Sequence, residues 1–284
     1  VETRNDYLGT GTIELIGSGG GGGQLVLGGG LHRLGLGLEV TASGGGFTGV
    51  GGASGSTTAT FVNEGTITVS GGTFSSGSGT LTIVNEGTIE VLGGVVQVRE
   101  PRSPSIEVVN RGTIAARGAG STMRIGLAFA DPALTSFTNE ATGTVEATGG
   151  ATLVVGGDTW SNAGDITATD SDVTLSGSYA GATVAGVVRT NSPLELLGSI
   201  DNAGQVFVVD NASGPTTFGE VTIDGTIDAT AGSPAIGTGP PTLVDVTWQG
   251  PLAAASVVRV AGDGITFDPA TAPQNVVTLD GSGF

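Results

Sequence analysis

The chain has 284 residues, 54 of them glycine, with 38% hydrophobic residues, 26 acids against nine arginines, no lysine, no cysteine and one histidine. These counts exclude thiol chemistry, disulfides, Cys-ligated metals, Schiff-base or P-loop lysines and a His-rich metal site. A net charge of −17 opposes binding to nucleic acid, and no apolar run reaches the ~18 residues of a membrane helix.

Residues 1–56 carry glycine runs at 19–23, 28–30 and 44–46. Between them lie the strand-like stretches Gly11-Thr12-Ile13-Glu14-Leu15 and Leu34-Gly35-Leu36-Gly37-Leu38-Glu39-Val40. Flexible linkers do not alternate leucine so regularly. The spacing therefore predicts two irregular coils over 1–56.

Residues 57–230 are repetitive. Phe61-Val62-Asn63-Glu64-Gly65-Thr66-Ile67 recurs as Ile83-Val84-Asn85-Glu86-Gly87-Thr88-Ile89 and Val108-Val109-Asn110-Arg111-Gly112-Thr113-Ile114. Asn139, with Gly143-Thr144-Val145 after a two-residue insertion, Asn162 to Ile166 and Asn202 to Val206 continue the series. Val221 to Ile227 is a degenerate unit, and residues 182–188, in the long gap after Asn162, are read as another. A period of about 20–25 residues belongs to solenoids. Apolar residues alternate within each unit, and β-branched residues outnumber helix formers, so the elements are strands. Glycine pairs such as Gly71-Gly72, Gly93-Gly94 and Gly149-Gly150 supply the corners. Short strands joined by tight corners predict an all-β fold, a right-handed parallel β-helix whose coils stack ~4.8 Å apart. Ile67, Ile89, Ile114, Val145, Ile166, Val206 and Ile227 then form one core column, and Phe61, Ile83, Val108, Phe137, Trp160 and Ile200 a second. The asparagines serve either as coil-to-coil hydrogen-bonding partners or as left-handed turn residues.

Residues 231–284 are proline-richer and lose the repeat, with strand-like runs at 242–246, 256–260 and 276–279. They are read as terminal coils or as an assembly or cap region.

At these residues, over roughly 61–227, the chain resembles the secreted repetitive β-helix proteins of bacteria: autotransporter passenger domains, filamentous-haemagglutinin-like adhesins and related surface repeats. The resemblance implies an extracellular or cell-surface location and carries over no catalytic residue.

Several groups are candidates for chemistry. The residues after each asparagine read Glu64, Glu86, Arg111, Glu140, Ala163 and Ala203, which predicts an inter-coil charge ladder. Glu90 and Glu146 fall two coils apart across Ala115, roughly 10 Å, a separation at which paired carboxylates can work on a polysaccharide. A solvated charged face is the favoured reading of both. Asp158, Asp165, Asp170 and Asp172 form an acidic stretch without calcium-loop spacing, read as a solvated loop. His32 is read as a lone surface histidine. Thr66, Thr88, Thr113, Thr144 and Thr226 fill an outward column interrupted by Asp165 and Gln205. The column beside it, Thr68, Glu90, Ala115, Glu146, Thr167, Phe207 and Asp228, is too irregular and charged for an ice-binding face. Asn211-Ala212-Ser213 matches a glycosylation sequon, a short pattern that is often fortuitous.

The expectation is a non-enzymatic structural or adhesive element outside a bacterial cell, a filament subunit or adhesin segment, with no catalytic, cofactor or metal residues. Self-association, head-to-tail or by strand exchange, is expected through residues 1–15 and 214–284, because uncapped sheet edges invite pairing. The alternative is a β-helix that binds or cleaves polysaccharide with surface carboxylates. It requires three or more acids and an arginine meeting in one groove beside an exposed aromatic.

Overall fold

A computed structural model describes residues 4–17, 24–27, 30–44, 47–52, 58–76, 80–98, 105–126, 134–254, 257–268, 270 and 277–279. The glycine runs 19–23 and 28–29, Gly45, Gly46 and the boundary expected at residue 56 lie outside the described residues.

The protein is all-β and built from long parallel sheets. Successive strands enter three sheets in turn. Thr58–Asn63, Thr66–Val69 and Thr73–Ser76 lie in the first, second and third sheet. They pair with Thr80–Asn85, Thr88–Val91 and Gly94–Val98 of the next repeat. Among the described residues the first sheet has seven strands, the second eight and the third fourteen. The third is larger because Leu194–Asp201, Thr216–Asp228, Thr242–Gln249 and Arg259–Phe267 run around corners that split earlier repeats into separate strands. Leu252–Ala254 and Val277–Leu279 pair separately. The sheet stacking therefore runs on through the proline-richer region. Of the runs expected there, 242–246 lies within Thr242–Gln249, and of the described residues 257–260 only Arg259 and Val260 lie in a strand, Arg259–Phe267.

One repeat cannot bury its apolar face alone, so burial comes from stacking. Ile67, Ile89, Ile114, Val145 and Ile166 are partners in register and all are buried. Phe61, Ile83, Val108, Phe137 and Trp160 form the second column. Burying each such side chain stabilises the fold by about 1.5–3 kcal/mol.

Both columns depart from expectation further on. Trp160 is followed not by Ile200 but by Tyr179, with ring centroids 5.1 Å apart, and Tyr179 pairs in turn with Ile200. The long gap after Asn162 thus holds a further winding, in which the one-turn helix Gly181–Ala185 replaces the asparagine turn and Val187 pairs with Ile166. In the next winding the expected core residue Val206 is exposed, and Phe207 is buried in its place, partnered with Ile227. The cause is the turn after Asn202. Gly204 adopts φ +69° and the Gln205 amide donates to the Asn202 carbonyl, which spends one extra residue before the strand. A one-residue slip exchanges the two faces of a strand.

Two N-terminal expectations are also corrected. Leu34–Val40 is not one strand. Gly30–Leu34 ends in the first sheet, a turn exposes Leu36, and Leu38–Gly44 lies in the second sheet, paired with Gly11–Gly17. Leu34 stands in register with Asn63, so the turn occupies the place of Asn-x-Gly without its asparagine. His32 is not a surface residue: it is 2% exposed and aligned with Phe61.

Candidate functional site

The repeat's polar residues divide into an inner and an outer ladder. Asn63, Asn85, Asn110 and Asn139 are fully buried. Each gives its Nδ2 hydrogen to the Oδ1 of the next asparagine, ending on Asn162, over 2.7–2.8 Å. Each also donates to a carbonyl of the following repeat, namely Thr88, Thr113, Thr144 and Asp165. None of them has positive φ, so the coil-to-coil role is the one realised. The ladder stops where Gly181 enters. A Cβ there would collide with Asn202 Oδ1.

The glycine two residues after Asn63, Asn85, Asn110 and Asn162 is required by proximity. A Cβ on Gly87 or Gly112 would fall well inside the 3.0 Å limit from the carbonyl oxygen of Gly65 or Gly87 one repeat back. The corner glycines serve differently, Gly149 and Gly150 having φ +69° and +85°.

The outer ladder is charged. Arg111 donates to Glu86 at 3.1 Å and to Glu140 at 2.9 Å, as its position after the asparagine predicts. Arg33 pairs with Glu64. The bond to Glu140, and after it that to Glu86, holds the Arg111 guanidinium above its ordinary range, and the same bond holds the Glu140 carboxyl below its own. Glu90 and Glu146 do flank Ala115 in register. What sequence reasoning missed is Arg117, which pairs with both of them. Ala115 points outward yet is fully covered. Its small size is the signal that long side chains cross above it.

Thr66, Thr88, Thr113 and Thr144 align, followed by Asp165. Thr226 is partnered by Val206 and Asp228 by Val208, so the slip removes Gln205 and Phe207 from the two outer columns. Among the described residues no group of three or more His, Asp or Glu could hold a metal ion. Asp170 has φ 50° and accepts from Asn191 Nδ2 at 3.2 Å. Asn211 gives its Nδ2 to the Ser233 carbonyl at 2.9 Å, so the sequon amide is already engaged.

A groove of about 440 Å³ crosses the outer face of the third sheet between Arg124, Glu195 and Glu220. It holds two acids and an arginine but no aromatic. A second cavity, about 240 Å³, lies in the second sheet between Val187–Thr190 and Val206–Val208. Arg189 stands beside it. Burial lowers its pKa against the opposing charge of Asp210.

No family model, curated protein or solved structure matches the chain. Among the described residues no helix is long and apolar enough to cross a membrane.

Proposed function

We propose that this protein is a right-handed parallel β-helix serving as a non-enzymatic structural or adhesive element outside a bacterial cell. The observation that supports the reading is the unbroken register of the first sheet, whose side chains line up as one apolar column and one amide ladder. A stack of this kind resists bending, because its inner strands are bonded on both edges and flexing must break backbone hydrogen bonds in several repeats at once. The outward carboxylates of Glu64, Glu86, Glu90, Glu140 and Glu146 are engaged by Arg33, Arg111 and Arg117. That suits a weathered surface better than acid–base chemistry, for which a proton-exchanging carboxyl must be free.

Self-association belongs to the same proposal. Among the described residues Arg4–Tyr7 and Arg259–Phe267 are each paired along one edge. Electron microscopy of the unfixed purified protein tests the role. End-joined fibres or uniform short rods support it. Compact particles that shorten or retain a polysaccharide would replace it with the carbohydrate reading.

A further inference from the structure

We propose that the groove across the outer face of the third sheet binds a short peptide with free termini, its carboxylate on Arg124 and its ammonium between Glu195 and Glu220. The inference rests on the groove alone and stands apart from the extracellular reading.

Outward side chains of the third sheet stack in register as the core does. Arg124, Val154, Thr174 and Glu195 follow one another in a single column, so Arg124 and Glu195 stand three rungs apart. At ~4.8 Å per rung their backbones are ~14 Å apart. Elsewhere an arginine meets an acid in the adjoining winding: Arg111 reaches Glu86 and Glu140, and Arg117 reaches Glu90 and Glu146. Three rungs exceed that reach. Among the described residues neither Arg124, Glu195 nor Glu220 forms an ion pair. The groove thus holds both signs of charge uncommitted, with Val154 and Thr174 between them.

The two acids gather at one end. A Cβ on Gly219 would press on Leu197 and lie 3.3 Å from Glu195 Oε1. That carboxylate therefore lies over Thr216–Asp228, the strand that carries Glu220. A Cβ on Gly239 would lie 2.8 Å from Glu220 Cβ. Both glycines line the groove, and a side chain at either would crowd it. At the other end Arg124 Nε is buried and meets no acceptor among the described residues. A buried charged donor calls for an acceptor.

The chemistry of the ends selects the ligand. A planar guanidinium takes a carboxylate through two parallel hydrogen bonds. An ammonium carries three donors, enough for two carboxylates at once. Four extended residues span about 13 Å at ~3.3 Å each, which matches the separation of the ends. The volume of about 440 Å³ is that of a small-ligand site. Val154 and Leu197 offer apolar contact to small side chains. A sugar chain fits less well. The groove has no aromatic to stack on, and a sugar acid would meet Glu195 and Glu220 as like charges.

Tetraalanine with free termini is the probe, titrated into the whole chain by calorimetry. A Kd below about 1 mM is expected, weakening as salt rises. Acetylating the amino end or amidating the carboxyl end should each lower affinity by about tenfold or more. Dialanine, too short to reach both ends, should lose as much. Two variants assign the ends. Arg124→Gln should bind tetraalanine and its amide equally. The double variant Glu195→Gln, Glu220→Gln should bind the free and acetylated peptides equally. Circular dichroism should be unchanged in both, and if either fails to fold the peptide series on the unaltered chain decides. The proposal is overturned by no binding at millimolar peptide, by equal affinity for free and end-blocked peptides, or by variants that still discriminate between them in full. Tighter binding of trigalacturonate than of tetraalanine would give the groove to sugar acids and likewise overturn it.

Discussion

Replacing Asn110 with alanine removes a rung from the middle of the buried amide ladder. Its Nδ2 donates to Asn139 Oδ1 at 2.7 Å and to the Thr144 carbonyl at 3.2 Å, and its Oδ1 accepts from Asn85 at 2.8 Å. The loss on the Asn85 side is cushioned, because Asn85 Nδ2 keeps the carbonyls of Gly87 and Thr113. Asn139 Oδ1 is not cushioned and becomes a buried acceptor without a donor. With net bonds near 1 kcal/mol and an orphaned group near 1–3 kcal/mol, the total is about 3–5 kcal/mol. Asn63 at the ladder's end is the control. It also donates twice, but its own Oδ1 finds no donor among the described residues, since its register neighbour is Leu34. Truncating Asn63 removes one orphan while creating another at Asn85, which leaves about 2 kcal/mol. Urea unfolding at constant m-value measures both variants, and amide exchange locates the weakened repeats. An Asn63→Ala cost equal to or above that of Asn110→Ala would refute the reasoning, because end and middle rungs would then be equivalent.

Gly112→Ala is expected to cost more than ~4 kcal/mol or to prevent folding, as backbone lies in the way of the new Cβ. Gly118→Ala, at φ +81° in open space, should cost only about 1–2 kcal/mol, and both are read by denaturant midpoint. Burial raises the Tyr179 phenol pKa, although its hydroxyl donates to the Leu197 carbonyl at 3.2 Å. A raised acid stabilises the fold below the unfolded value of ~10 and loses that contribution above it. Absorbance titration should therefore show a tyrosine that ionises only as the protein unfolds in alkali, and Tyr179→Phe should remove that component. Glu140 has the opposite sign. Its lowered pKa contributes stability above the ordinary carboxylate range, and that contribution is lost as pH falls through the depressed value. The midpoint difference between wild type and Arg111→Ala should shrink toward about pH 2 and in about 1 M salt.

The repeat was legible because each of its positions meets one requirement in every winding. Apolar alternation, a small residue at the close approach and an amide at the inner corner recur together from Asn63 to Asn162. The charge ladder through Arg111 followed from counting one residue past each asparagine. Arg117 did not, because it reaches Glu90 and Glu146 from an end of its strand where no periodic position marks it. Val206 and Phe207 were misassigned because residues 206–209 are all apolar, so no alternation shows which face turns inward. Leu34 hid a turn for the same reason, its neighbours alternating with glycine across a corner. His32 was placed at the surface because a single histidine carries no pattern of its own.

Sequence alone determined the strand character, the period of the windings and which residues stack from Asn63 to Asn162, since those depend on local alternation and on requirements repeated in each unit. Only the tertiary structure decided where the stack is interrupted. The break between Val187–Thr190 and Val206–Val208, the arginine in a column of alanines and the slip after Asn202 each depend on how one winding seats on its neighbour. That fit is a property of two segments at once, and neither segment's residues encode it separately.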